Sequence, residues 1–208
     1  MIVDRIETPL LLDQAAFQKA ESHELLHRNW VKADQVRVEF RIVHDGANFY
    51  LAYTVEEEQV RGVNSGYNSP VWEDSCVEFF FSLKGDEKNY YNFEFNAIGA
   101  VLGAYGPDRH SRKSLDLSLL KQIETNPSLG RDPVGTIDRP TTWSLFVKIP
   151  VSILRFNKIS ELSGRDGYAN FYKCGDMLDQ PHFISWKPVV TPTPDFHTPR
   201  FFGQLSFM

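Results

Sequence analysis

Two cysteines in 208 residues, Cys76 and Cys174, are too few for a disulfide framework, and they form no CxxC pair of the kind a structural zinc site uses. Each reads as a small, half-buried strand residue. A basic excess is also missing. The chain has 22 Lys and Arg against 27 Asp and Glu, a net charge of -5 at pH 7. Without a clustered positive surface to meet phosphates, nucleic acid is not the expected partner. No apolar run is long enough to cross a bilayer, so no membrane partner is expected. The opening residues MIVDRIETPLLLDQ carry Asp4 and Glu7 and lack a signal-peptide core. A cytoplasmic location follows for the sequence as written, and an extracellular or periplasmic one if it is a trimmed piece. His110, His182 and His197 show no HxH or HExxH spacing, and no EF-hand run of ligands occurs. They read as loop or turn residues, and zinc is not expected.

Aromatic residues, by contrast, are plentiful: 16 Phe, 8 Tyr and 4 Trp make up 13% of the chain. Such residues favour strands, and they also suit a surface that stacks on sugar rings. In VRVEFRIVHD, Val36, Val38, Phe40 and Ile42 alternate with Arg37, Glu39 and Arg41, the period of a half-buried strand. The DGAN turn at 45–48 then leads into FYLAYTV as a hairpin. VWEDSCVEFFFSL follows a Gly-containing loop, and YYNFEFNAIGAVLGAYG reads as two strands around Ile98-Gly99. TWSLFVKIP, YANFYKC, FISW and FFGQLSF are further strands. Residues 107–140 read as a long loop with one helical turn near LDLSLLKQI. Residues 13–26, with Asp13 as an N-cap, read as one short helix. The expectation is a single all-β domain over residues 1–208, an antiparallel β-sandwich of immunoglobulin or jelly-roll type with one short N-terminal helix.

Strand alternation sets Glu78 opposite Val77, Phe79 and Phe81, and places Asn92, Glu94 and Asn96 together on one face. If the two segments pair as a hairpin, their polar rows share a face. Sugars call for this combination, because carboxylates and carboxamides bind hydroxyls while an aromatic ring covers the C–H face of a pyranose. Trp72, at the strand entry, can supply the ring. An ordinary solvated sheet face for the two glutamates, and core packing for Trp72 and Trp186, explain the spacing equally well. So does the acid and nucleophile pair of a glycosidase.

The segment VWEDSCVEFFF resembles the W-x-x-D-x-x-V-E strand of family 9 carbohydrate-binding modules, at Trp72, Asp74, Val77 and Glu78. YYNFEFNAIGAV resembles the next strand of that family, with Asn96 kept and Glu94 where the family has an Arg. TWSLFVKIPVSIL is similar to its W-x-x-x-x-x-I-P strand, at Trp143, Ile149 and Pro150. PHFISWKPV and PDFHTPRFFGQLSF are similar to the carboxy-terminal part of a bacterial group of the family. The resemblance covers roughly residues 30 to 208. It implies a non-catalytic module of the kind associated with glycoside hydrolases, binding an oligosaccharide or polysaccharide. Trp72 and Trp186 would be the stacking walls, and Glu78, Glu94 and Asn96 the hydrogen-bonding groups. No cofactor is implied beyond structural calcium, to which Asp74, Asp108 or Asp195 could offer oxygens. The alternatives are a glycoside-processing enzyme using Glu78 and Glu94, and a protein-interaction sandwich with no sugar ligand.

Overall fold

The computed structural model describes residues 1–7, 9–13 and 17–208. The strands are β1 (Ile2–Val3), β2 (His23–Glu24), β3 (His27–Arg28), β4 (Arg37–His44), β5 (Asn48–Glu57), β6 (Val60–Gly62), β7 (Cys76–Leu83) and β8 (Tyr90–Asn96). They continue with β9 (Val101–Gly106), β10 (Lys113–Ser114), β11 (Glu124–Pro127), β12 (Gly135–Ile137), β13 (Thr141–Pro150), β14 (Asp166–Cys174), β15 (Phe183–Ser185) and β16 (Gly203–Phe207). One sheet runs β1-β16-β14-β7-β8-β9-β10, with β15 and β3 branching from β14. The second runs β11-β13-β5-β4-β2, and β12 pairs β6 separately. All pairings are antiparallel except β1 with β16. The chain is therefore an all-β antiparallel sandwich, as its alternation implies.

The hydrophobic rows of the two sheets meet in the middle. Val38, Phe40 and Ile42 on β4 are buried while Arg37 and Glu39 are exposed. On β13, Trp143, Leu145, Val147 and Ile149 are buried in the same alternation. Phe40 stacks on Phe171 of the other sheet at 4.0 Å between ring centroids, and Phe49 meets Phe79 edge to face at 5.6 Å. Such pairs add specific attraction to the burial of large apolar area. The hairpins close where turn chemistry demands. Gly46 and Gly99 sit at φ +94° and +77°, a region that costs a residue with a Cβ, and Asp45 Oδ1 accepts from the backbone N–H groups of Ala47 and Asn48.

The outer face of the first sheet is not solvated. Every residue of β8, and all of β7 except Leu83, is buried. Phe80, Tyr90 and Tyr172 on that face join Val189 and Phe196 in a second apolar cluster. The segment between β15 and β16 thus lies over the sheet, and it turns a plausible solvent face into the floor of a cleft.

Two expectations are corrected. Of the expected helix over residues 13–26, residues 14–16 lie outside the described residues. Residues 17–26 form a turn followed by β2, not a helix. Pairing with β4 supplies the backbone partners that a helix would have supplied internally. The α-helix of the described residues is α1 (Leu117–Leu120), at the helical turn expected near LDLSLLKQI. The stretch 107–140 is not one loop, because it also contributes β10, β11 and β12. These short strands are polar and interrupted by Pro and Gly, so their sequences carry no alternation, and ladder pairing to β9, β13 and β6 makes them strands.

Candidate functional site

The register β7–β8 places Glu78 directly opposite Glu94. Both carboxyls point to the covered outer face, and both line a cavity of about 240 Å³. Its wall includes Trp72, from the 3₁₀ turn Val71–Glu73 that feeds β7, together with Phe183, Phe196 and His197. Arg109, His110 and Arg112 enter from the segment after β9, and Asp176 from the one after β14. A larger cavity, of about 450 Å³, lies by Tyr67, Ile98, Thr125 and Arg131 and contains no opposed carboxylate pair. Converging polar groups with perturbed acidity mark the smaller one as the candidate site.

Burial dominates the electrostatics. Glu78 is 3% and Glu94 2% exposed. Loss of hydration pushes the Glu78 carboxyl well above the usual carboxylate range, and the facing Glu94 adds to the shift. Glu94 is also raised by burial, but Arg112 and an N–H···O bond from Asn92 Nδ2 at 2.9 Å oppose that rise. Asp176 is raised by burial as well. Arg112 Nη1 lies 3.4 Å from Glu94 Oε1 and 2.8 and 3.0 Å from the two ring nitrogens of His197. The His197 ring, also 2.8 Å from the Tyr90 hydroxyl, has its pKa pushed down to about 2 by burial and by the adjacent guanidinium. The imidazole is therefore neutral, and a single cation serves both the ring and the carboxylate.

Of the five residues expected at a site, Trp72, Glu78 and Glu94 come together here. Asn96 and Trp186 do not line the cavity. Asn96 is fully buried: its Nδ2 donates to Asn64 O at 2.6 Å and Asp74 Oδ2 at 2.7 Å, and its Oδ1 accepts from Ala100 N. The ring of Trp186 lies edge-on to Phe40 and Phe171 at the inter-sheet core, with Lys187 Nζ 4.1 Å above it. Strand spacing shows which residues share a face, but not whether an amide is already committed to a neighbouring loop.

Asp74, fully buried, pairs with Arg61 and accepts from Val63 N and Asn64 N. Asp108 Oδ1 accepts from His110 N and Ser111 N, and Asp195 Oδ1 from His197 N. These carboxylates shape the loops around the site. His182, the third isolated histidine, lies away from the cavity against Lys173.

Arg109 and Arg112 were missed by the sequence reading, although RHSRK at 109–113 is a compact basic cluster in an acidic chain. The structure carries Arg112 to Glu94, the residue standing where the resemblance expects an Arg. A guanidinium reaches the site from a neighbouring segment instead of from β8.

Comparison with known proteins sets this geometry in context. No curated protein matches the chain. A crystal structure of a presumed carbohydrate-binding protein from Bacteroides uniformis ATCC 8492 is 37% identical. It superposes with a TM-score of 0.92, covering 100% of this chain and 98% of that one. A family 9 carbohydrate-binding module from Caldicellulosiruptor kristjanssonii, solved in complex with glucose, shares the fold at 12% identity and a TM-score of 0.65. That match covers 100% of this chain and 96% of the other. A complex with cellotriose from the same organism, also at 12% identity, gives 0.62, covering 100% and 92%. The model of carbohydrate-binding family 9 matches residues 7–207. With a match spanning almost its whole length, on the sandwich that its alternating strands build, the chain belongs to carbohydrate-binding family 9.

Proposed function

We propose that residues 1–208 form one non-catalytic module that binds an oligosaccharide or polysaccharide end in the cavity between Trp72 and the carboxylate pair. The observation that carries the reading is the convergence of one partly buried indole, two facing carboxyls and a guanidinium in one cleft. In this reading the Trp72 ring covers the apolar face of a sugar. Glu78, Glu94 and Arg112 take its hydroxyls, each able to hold two hydroxyls at once. The carbohydrate ligands of the Caldicellulosiruptor modules support that ligand class. No helix of the described residues is long and apolar enough to cross a membrane, and the ligand reading needs none.

Calorimetric titration with cello-oligosaccharides and a broad glycan array test the proposal. Trp72→Ala is expected to weaken binding about 10- to 100-fold, the equivalent of about 1.4–2.8 kcal/mol. Unchanged affinity in that variant would remove Trp72 from the site, and a blank array would favour a protein-interaction sandwich.

A second reading rests on the register itself. Opposite strand residues have Cβ atoms about 4.5–5.5 Å apart. A retaining glycosidase needs its carboxyl groups about 5–5.5 Å apart, and the two acids here are unequally held: Arg112 pairs with Glu94, whereas among the described residues no cation lies within ion-pair distance of Glu78. Aryl glycosides are expected to show no turnover. Hydrolysis that disappears in Glu78→Gln would make the module an enzyme.

A further inference from the structure

Beneath the sugar cavity the two cysteines of the chain meet. Cys76 on β7 and Cys174 on β14 are direct partners in the antiparallel ladder, and Glu78 stands two residues along β7 on the same face. The two sulfurs and a Glu78 carboxylate oxygen lie within 4.8 Å of one another, and all three residues are buried. The Cys174 thiol donates to Glu78 Oε1 at 3.1 Å. Glu94 is met by Arg112 and Asn92. Among the described residues no Lys, Arg or His comes within ion-pair distance of the Glu78 carboxylate. A buried acid with no cation in direct contact, beside two thiols, is a setting that suits a cation preferring sulfur.

We propose that Cys76, Glu78 and Cys174 bind a thiophilic d¹⁰ metal ion, with Zn²⁺ as the occupant, and that the remaining coordination position faces the cavity, which Glu78 and Cys174 both line. Zinc takes thiolates at about 2.3 Å and carboxylate oxygens at about 2.0–2.2 Å, so tetrahedral ligand atoms lie about 3.5–3.8 Å apart. Drawing the three atoms together by about 1 Å is within the reach of side-chain torsions on a fixed ladder. Calcium is a poor occupant, since it takes six to eight oxygens. A simple disulfide would leave the carboxylate without a role. Binding breaks two S–H bonds and forms two metal–sulfur bonds and one metal–oxygen bond to Glu78 in place of waters on the ion. Two protons leave for solvent, and a third leaves with them when Glu78 starts as the neutral acid. Because both thiols must lose a proton to bind the ion, affinity rises with pH.

The experiment is a titration of reduced, metal-free protein with Co²⁺ as a spectroscopic stand-in for zinc. The expected result is a thiolate-to-cobalt charge-transfer band that saturates at one ion per chain and is bleached by one equivalent of Zn²⁺, with about two to three protons released per ion. The band is lost in Cys76→Ser and in Cys174→Ser and altered in Glu78→Gln. Should the serine variants not fold, ¹¹³Cd NMR of the wild-type protein decides: a resonance in the two-thiolate region supports the site. An oxygen-only resonance, no band, or a band at full strength in the double serine variant overturns it. The proposal does not rest on sugar binding. A Cys174→Ser protein that keeps its sugar affinity but loses the cobalt band fails neither reading, whereas one that keeps both fails only this one.

Discussion

At the scale of single residues, the chemistry of the cleft is set by what burial does to two acids. A carboxyl whose pKa is raised in the folded state is stabilising while it is protonated, and that advantage is lost as pH rises from the unfolded value through the folded one. Glu78, shifted upward by burial and by Glu94, therefore holds the folded state back at neutral pH. Glu78→Gln is expected to raise the melting temperature at pH 7, by about 2–4 °C for each 1 kcal/mol recovered in a domain of this size. The gain should shrink as the pH falls toward 4.5, the ordinary value for the side chain. Thermal melts of both proteins between pH 4 and 8 measure the difference. A gain independent of pH would mean that the charge is not the cause. His197 works in the same direction from the other side: with its pKa lowered to about 2 in the fold, it costs stability only as pH drops below 6.5, where the unfolded imidazole gains its proton.

At the scale of elements, β16 shows how a short segment can complete a sheet. It lies between β14 and β1, and its alternation sends Leu205 and Phe207 into the core, where they are 0% and 1% exposed. FFGQLSF already read as a closing strand, because one face of it is apolar and the Pro-rich stretch before it cannot join a ladder. Deleting residues 201–208 would bare the edge of β14 and remove buried side chains, and loss of a core Phe alone costs about 3–5 kcal/mol. The truncated chain is expected to be insoluble or to melt without cooperativity, as followed by near-UV circular dichroism and calorimetry. A soluble truncation with a sharp melt would show that β16 is dispensable.

Across the whole molecule, the two sheets are joined by a buried ionic network as well as by aromatic packing. Lys173 on β14 is fully buried, and its ammonium donates to Cys174 O at 2.8 Å and His182 Nε2 at 2.7 Å. It also pairs with Glu57 of β5 at 2.8 Å, and Trp143 Nε1 donates to the other oxygen of that carboxylate. His182 accepts as a neutral ring, its pKa pushed down to about 2 by burial and by the ammonium. Removing one partner leaves a buried charge unmet, so Lys173→Met should cost about 3–5 kcal/mol in urea unfolding. Adding Glu57→Gln to that variant should restore part of the loss. Equal midpoints for Lys173→Met and wild type would show that the pair contributes nothing net.

What the sequence by itself determined is the part governed by local periodicity. A two-residue alternation is enough to place Phe40, Trp143 and Leu205 inside, and to set Glu78 and Glu94 on one face, because strand geometry sends successive side chains to opposite sides. Trp72 beside that face was legible from its motif. Only the tertiary structure decided that this face is roofed by residues far along the chain, because burial by a loop leaves no periodic trace. It also decided that Arg112 reaches Glu94 from the segment after β9, that Asn96 is spent on Asp74 and a loop carbonyl, and that Trp186 packs at the inter-sheet core. Each of those outcomes depends on segments distant in sequence meeting in space. The strands of residues 107–140 were hidden for the same reason, since an edge strand with few apolar residues takes its conformation from the neighbour that pairs with it.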